Sequence, residues 1–421
     1  TFKRQFGEVR EIGAAKRDRE HPHHKPTSIS EILFYRGLLA RAFFETDKGS
    51  QEFAYIPDDL LMHLNREQRK EEREKKEEPL GRHASPNEKG KEILANDSVL
   101  DDATTMVAAL RTGRSNWQFD LRLSALLTSA NLISSSPRGR GVRAEGEINA
   151  EAVKSFLESS RADALKMLHD AWLESEAFNE LKLMPSIVCE GEWTNQPKHT
   201  REFLLDLLDA IPEGKWWSLN AFIGDIKQKY ADFQRPAGDY DSWFIKRASD
   251  GQYLRGFESW NEVDGALVRF FITDILHWLG RVDLSIAEGA TEVTAFRVSS
   301  VESKKEERGK ITATSSGKLI VERSFPRVVR YQIARFCEWD EPEGRVVARS
   351  APRIETKKDE YKYQITAGSL THAQEQGLKA EQLLSLLVKH TDNKVPPPLV
   401  KALKRWEANG SQARVETQTI L

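Results

Sequence analysis

Cysteine is nearly missing from this chain of 421 residues; only Cys189 and Cys337 occur, far apart. A disulfide framework or a thiolate zinc site needs closely spaced pairs, so neither is expected, and both residues read as small core side chains. No run of about 18 apolar residues is present, and the N-terminus lacks the charged-then-apolar order of a secretory leader. No membrane partner is expected, and the chain reads as cytoplasmic or nucleoid-associated. A phosphate loop of the form Gly-x-x-x-x-Gly-Lys-Ser/Thr is also missing. The nearest segment, Ser315-Ser-Gly-Lys-Leu319, lacks the first Gly and ends in Leu. ATP hydrolysis within the chain is therefore not expected, and no cofactor is called for. The chain begins without Met and stops inside the alternating stretch 413–421, which reads as a strand cut in its middle and hence as a fragment.

What is present is charge and enough apolar material for several cores: 39% of residues are hydrophobic and 30% charged. That length suggests two to four units. The net charge of −2 conceals a gradient of +1 over residues 1–150, −10 over 151–302 and +7 over 303–421. Binding to a duplex depends on local Lys and Arg that neutralise phosphates, so DNA contact is expected at the two ends and protein contact or structure in the middle.

Ile32, Leu33, Tyr35 and Leu39 recur at helical spacing behind Ser28 and Ser30, which predicts a capped helix. Apolar flanks around Asp47-Lys-Gly-Ser50 predict a hairpin after it. Residues 65–92 are dense in charge, with Pro79, Gly81, Pro86 and Gly90, and read as a linker or a solvated helix. Helical periodicity marks 97–189, where Ala164, Leu165, Leu168 and Trp172 share one face. Residues 200–300 read as three helices with an aromatic loop and then a hairpin across Glu288-Gly289, which is the winged-helix order. After the polar stretch 299–310 come a strand over 317–322, a helix over 326–337, a strand over 361–366 and helices over 367–376, 379–390 and 397–409.

In this last region Tyr363-Gln-Ile-Thr366, Ser369-Leu370, Ala373, Gly377-Leu378, Leu383, Leu384, Leu387, Val395-Pro396, Leu399 and Trp406 follow the order strand, Thr, helix, Gly, helix, Pro, helix, Trp. That order resembles the N-terminal domain of XPB-type helicases and its bacterial helicase-associated relatives over about residues 310–421. The resemblance implies an α/β adaptor that precedes a DNA translocase motor, docks on a homologous partner domain and does no chemistry itself. Family versions continue with more strand and helix, so it also implies an incomplete sheet whose open edge seeks a partner strand. The expected fold is α+β and mostly helical, with tandem winged-helix-like units followed by an α/β helicase-associated domain. Its parts are a winged-helix-like unit over 1–64, a charged linker over 65–96, a helical domain over 97–190, a second winged-helix-like unit over 197–300 and the α/β domain over 310–421.

Candidate DNA contacts are Arg36 and Arg41 on the last helix of the first unit, Lys48 at its wing tip, and Arg138, Arg140 and Arg143 on a Gly-rich loop suited to clamp phosphates. The last helix of the second unit carries Glu262, Asp264 and Asp274 against Arg269, which suits protein packing better. Lys215, Trp216, Trp217, Tyr240, Trp243, Lys246, Arg247, Tyr253 and Trp260 form an aromatic and basic set that would either stack unpaired bases or build a core, and their acidic surroundings favour the core. His21, His23 and His24 read as a surface loop and not as metal ligands, so no metal is expected. Glu360-Tyr-Lys362 matches the Glu-x-Lys of metal-dependent nucleases, with Asp340 or Asp359 as a further carboxylate. The expected function is a non-catalytic DNA-binding, helicase-associated adaptor that docks on DNA and on a partner protein such as a helicase or translocase. The alternatives are a pure protein-interaction scaffold and a nuclease.

Overall fold

The structure, a computed structural model, describes residues 6–10, 12, 16, 19–46, 49–55, 78–113, 120–134, 148–235, 238–299, 309–339 and 360–410. It is mixed α+β with helix in excess, and forms two compact units, Thr1–Glu78 and Pro79–Leu421.

In the first unit, helix α1 (Ile29–Tyr35) begins where Ser28 Oγ accepts from the Glu31 amide at 3.0 Å. Ser30 instead donates to Gly7 O at 2.8 Å. Glu31 is buried and receives Arg10 Nε at 2.7 Å, Arg10 Nη2 at 2.9 Å and the Thr27 amide at 2.7 Å. The Arg10 guanidinium leads in holding its carboxyl at about 2. Gly37, at φ 72°, ends the helix, and the Leu38 amide closes onto Leu33 O at 2.9 Å. Antiparallel strands β1 (Ala40–Thr46) and β2 (Gly49–Tyr55) follow, paired from Ala40 with Tyr55 to Thr46 with Gly49. This corrects the placing of Arg36 and Arg41 on a last helix: Arg36 follows the helix end and Arg41 lies on β1.

The second unit runs through β3 (Gly90–Ile93), α2 (Ser98–Arg111), α3 (Leu121–Ser129), α4 (Ala150–Glu158), α5 (Arg161–Glu174), α6 (Glu180–Leu183) and β4 (Ile187–Glu190). Next come α7 (Pro197–Asp209), β5 (Trp216–Ser218), α8 (Leu219–Lys229), β6 (Phe244–Arg247), α9 (Trp260–Phe270), β7 (Val282–Ala287) and β8 (Ala295–Val298). The last stretch holds β9 (Ile311–Ala313), β10 (Lys318–Glu322), α10 (Arg327–Ala334), β11 (Glu338–Trp339), β12 (Glu360–Gln364), α11 (Ala367–Glu375), α12 (Ala380–His390) and α13 (Pro397–Asn409).

Residues 79–96 are not a linker. The β3 strand is the edge of an antiparallel sheet ordered β3-β7-β8-β5, and Trp217 Nε1 donates to Leu80 O at 2.7 Å. The Gly90 amide donates to Ser285 Oγ at 3.0 Å, and a Cβ at Gly90 would lie 2.4 Å from Ile286 O, so the missing side chain permits this pairing. Residues 65–77 of the expected linker lie outside the described residues.

A single apolar core reaches from Leu80 to Phe296 and includes Leu100, Phe156, Trp172, Phe222, Trp260 and Phe271. The expected separation of 97–190 from 197–300 is thereby corrected. The Trp172 and Phe271 rings sit 5.7 Å apart, and Arg201 of α7 holds buried Glu180 of α6 at 2.7 Å. Contacts across such a distance in sequence leave no local pattern to read.

A second core around Leu319, Val321, Ile333, Tyr363, Leu383, Leu387, Leu399 and Leu403 underlies the C-terminal α/β portion. Its antiparallel sheet is ordered β11-β12-β10-β9. Alternation decides the faces: Leu319 and Val321 are buried on β10, while Ile320 pairs with exposed Lys362 and Thr312 on the opposite face. Thr366 caps α11 by accepting from the Ser369 amide at 3.0 Å. The Ser315-Ser-Gly-Lys segment forms the turn between β9 and β10, closed by the Thr314 amide on Lys318 O at 2.9 Å. A phosphate loop would instead join a strand to a helix.

Candidate functional site: an arginine seam and a basic helix face

One polar network of the second unit lies where the stretch leading into α10 meets α2, α4 and α5. Arg323 donates from Nη2 to Asp97 Oδ1 at 2.6 Å and from Nε to Asp101 Oδ2 at 2.8 Å. Arg161, the first residue of α5, donates from Nε to Asp97 Oδ2 at 2.7 Å and from Nη2 to Asp101 Oδ2 at 3.0 Å. Two carboxylates thus lie between two guanidiniums. Burial pushes the Asp97 carboxyl up, but Arg161 and Arg323 together more than offset it, so the group titrates below its ordinary value.

One turn further on, Arg327 is buried with Nη2 at 3.1 Å from Phe156 O and 2.9 Å from Ser159 O, satisfying carbonyls at the end of α4. Arg330 donates to Asp101 O at 2.9 Å and Thr105 Oγ1 at 3.1 Å, and lies 4.0 Å from the Tyr361 ring centroid. The α/β portion is therefore fastened to the helical scaffold by three arginines of one short stretch. Sequence reasoning counted them only as net positive charge.

The aromatic and basic set does not form one groove. Trp216 and Trp217 belong to β5, and Arg297 covers the Trp216 ring at 4.6 Å. Trp217 and Trp243 are buried; Trp243 stacks on Trp193 at 4.9 Å and meets Arg235 at 4.6 Å. Lys246 pairs with Glu190 at 2.8 Å, and Arg247 with Glu262 at 2.6 Å and Asp250 at 2.7 Å. Helix α9 buries Trp260, Val263, Asp264, Gly265, Leu267 and Val268, and Asp264 receives Arg235 at 3.0 Å and Gln234 at 2.6 Å. Tyr240 donates its hydroxyl to Asp232 beside this network.

Among the DNA candidates, Arg36 and Arg41 are exposed in the first unit, Arg41 with its guanidinium 5.4 Å from the Phe34 centroid. Lys48, Arg138, Arg140 and Arg143 lie outside the described residues, as do Asp340 and Asp359. Glu360 and Lys362 are exposed on β12, where Glu360 faces Glu322 across the sheet. The rings of His21, His23 and His24 lie 4.2 to 6.0 Å apart. Among the described residues no group of three or more His, Cys, Asp or Glu is arranged to hold a metal ion. No helix of the described residues is long and apolar enough to cross a membrane.

Helix α13 has two unlike sides. Leu399 and Leu403 are buried and Trp406 is half-buried, while Lys401, Lys404 and Arg405 are exposed. Lys394, exposed in the preceding turn, adds a fourth cation. None of the four forms an ion pair among the described residues. The signal was in the sequence: cations at i, i+3 and i+4 opposite an apolar stripe.

No family model matches this chain, and no curated protein matches it. Residues and geometry therefore carry the assignment of function.

Proposed function

We propose that this chain is a non-catalytic, DNA-associated adaptor, in which an acidic helical scaffold presents an XPB N-terminal-like α/β portion to DNA and to a partner protein such as a helicase or translocase. One contrast carries the reading. In the scaffold, Asp97, Asp101, Glu180, Asp264 and Asp283 are each engaged by an arginine, whereas three cations of α13 share one exposed face and form no ion pair among the described residues. Carboxylates committed in this way hold structure together, and free cations attract polyanions. On this reading residues 197–300 are a winged-helix unit, since α7, β5, α8, α9 and the β7–β8 hairpin follow in that order and β5 closes onto β8. Its third helix, α9, then serves the core and does not enter a groove. The first unit contributes Arg36 and Arg41 as exposed contacts.

The test is a fluorescence-anisotropy titration of a labelled duplex with the whole chain at two salt concentrations. Affinity is expected to fall by more than about tenfold between about 50 and 200 mM salt, as neutralised phosphates require. A chain that gives no shift at the lower salt refutes DNA association.

A second reading, an interaction scaffold without DNA binding, is favoured by the outward face of the β4–β6 ribbon. Val188, Phe244 and Tyr253 are 47%, 45% and 42% exposed there, in an acidic stretch of the chain. Absence of any duplex shift would favour this reading.

A further inference from the structure

We infer that the exposed side of α13 is the phosphate-contacting surface of the α/β portion and that its partner is the backbone of duplex nucleic acid, an assignment that rests on the adaptor reading and gives it a site. Each residue of an α-helix advances about 100° around the axis, so Lys401, Lys404 and Arg405 fall within about 100° of arc, centred opposite Leu399 and Leu403. Packing of Leu399, Leu403 and Trp406 fixes the rotation of the helix, and the cations are held outward by it.

The spacing suits the partner. From Lys401 to Arg405 the helix rises about 6 Å, and each strand of duplex DNA carries a phosphate every roughly 3.4 Å of its axis, so the row of cations spans about two to three phosphates of one strand. Lys394 extends the row at the turn between α12 and α13, where Asp392 and Asn393 adopt φ 51° and 62°. The nearby acids do not cancel this surface. Glu407 lies on the flank and accepts at 3.4 Å from the amide of Glu381, itself an exposed acid, and Asp392 is exposed in the turn, so the four cations still outnumber these three acids.

A lipid surface fits less well. Helices that lie on membranes pair their cations with large apolar side chains that enter the acyl boundary. The exposed neighbours here are Pro397, Pro398, Ala402 and Ala408.

The experiment measures duplex affinity across a salt series for the whole chain and for Lys401→Ala/Lys404→Ala/Arg405→Ala. The slope of log K against log salt should fall by about three, and affinity at about 0.1 M salt by at least about tenfold. A control that removes three exposed cations of the acidic stretch, Lys154→Ala/Lys229→Ala/Arg281→Ala, should keep both values. A circular-dichroism spectrum and urea midpoint matching the unaltered chain show that the variant folds; if it does not, Lys404→Glu alone serves, with loss of affinity expected. An unaltered chain that binds, with a triple variant of equal slope and affinity, overturns the site and leaves the adaptor reading standing. An unaltered chain that gives no shift at the lowest salt removes the adaptor reading itself. Sedimentation with phosphatidylserine vesicles but no duplex binding overturns the inference in favour of a lipid surface.

Discussion

Replacing Asp101 by Ala should loosen the hold of the scaffold on the α/β portion. Its carboxylate accepts from Arg161 Nη1 at 3.3 Å, Arg161 Nη2 at 3.0 Å and Arg323 Nε at 2.8 Å. Its removal leaves two guanidiniums to share Asp97, with Arg161 only 6% exposed. Breaking a buried ion pair from one side costs about 3–5 kcal/mol. The retained Asp97 and the 24% exposure of Arg323 place this case at the lower end, about 3 kcal/mol. Arg323→Ala leaves one guanidinium for two carboxylates and should cost about 2 kcal/mol, since hydrogen bonds to charged groups contribute about 1.5–3 kcal/mol net and the side chain is 24% exposed. The double variant should cost less than the sum by about 1 kcal/mol, because both changes remove the same contact. Urea unfolding followed by circular dichroism measures the losses, and hydrogen exchange should show faster exchange in α10 than in α5. As a reference, Lys166→Ala breaks the exposed pair with Asp170 at 2.7 Å, and should leave the urea midpoint close to that of the unaltered chain. If Asp101→Ala costs no more than this reference, the seam does not hold the α/β portion and the reasoning fails.

Two more outcomes are expected. Glu88 accepts from Arg82 Nη1 at 2.7 Å and Ser218 Oγ at 2.6 Å, and the Arg82 guanidinium leads in lowering its carboxyl to about 2. A lowered folded value means that its stabilisation is present above about pH 4.5 and is lost as pH falls through about 2; melting temperatures should therefore fall less steeply across this range in Glu88→Gln than in the unaltered chain, and equal slopes would contradict the assignment. Gly90→Ala puts a Cβ against Ile286 O and should destabilise the second unit by about 1–3 kcal/mol, with increased amide exchange in β3; an unchanged urea midpoint would show that the strand shifts without cost.

Much of the C-terminal portion was legible because its signals are local. Pro396-Pro-Pro398 marks the start of α13, Thr366 caps α11, and Gly377, at φ 76°, follows α11. The hairpin of β7 and β8 was legible from two apolar strands around Glu288-Gly289. Charge count misled at 79–96, because β3 is held by backbone pairing and a Ser285 hydroxyl 195 residues away, and neither depends on the charges of the segment. The first helix ran past its true end because Leu39 continued the helical spacing, while Gly37 had already turned the chain.

Composition and periodicity alone determined the α+β class, the position of most helices and strands, and the gradient that leaves the middle acidic and the C-terminal stretch basic. Each depends on neighbours within a few residues or on simple sums. Only the tertiary structure decided that core residues from Leu80 to Phe296 form one cluster, that Arg323, Arg327 and Arg330 serve as fasteners, and that Lys401, Lys404 and Arg405 form no ion pair among the described residues. A guanidinium acquires its role from the acceptors brought to it, and for Arg327 and Arg330 these are carbonyls of helices more than 160 residues away. Chain folding brings such acceptors together, so the same residue type closes a seam on α10 and faces solvent on α13.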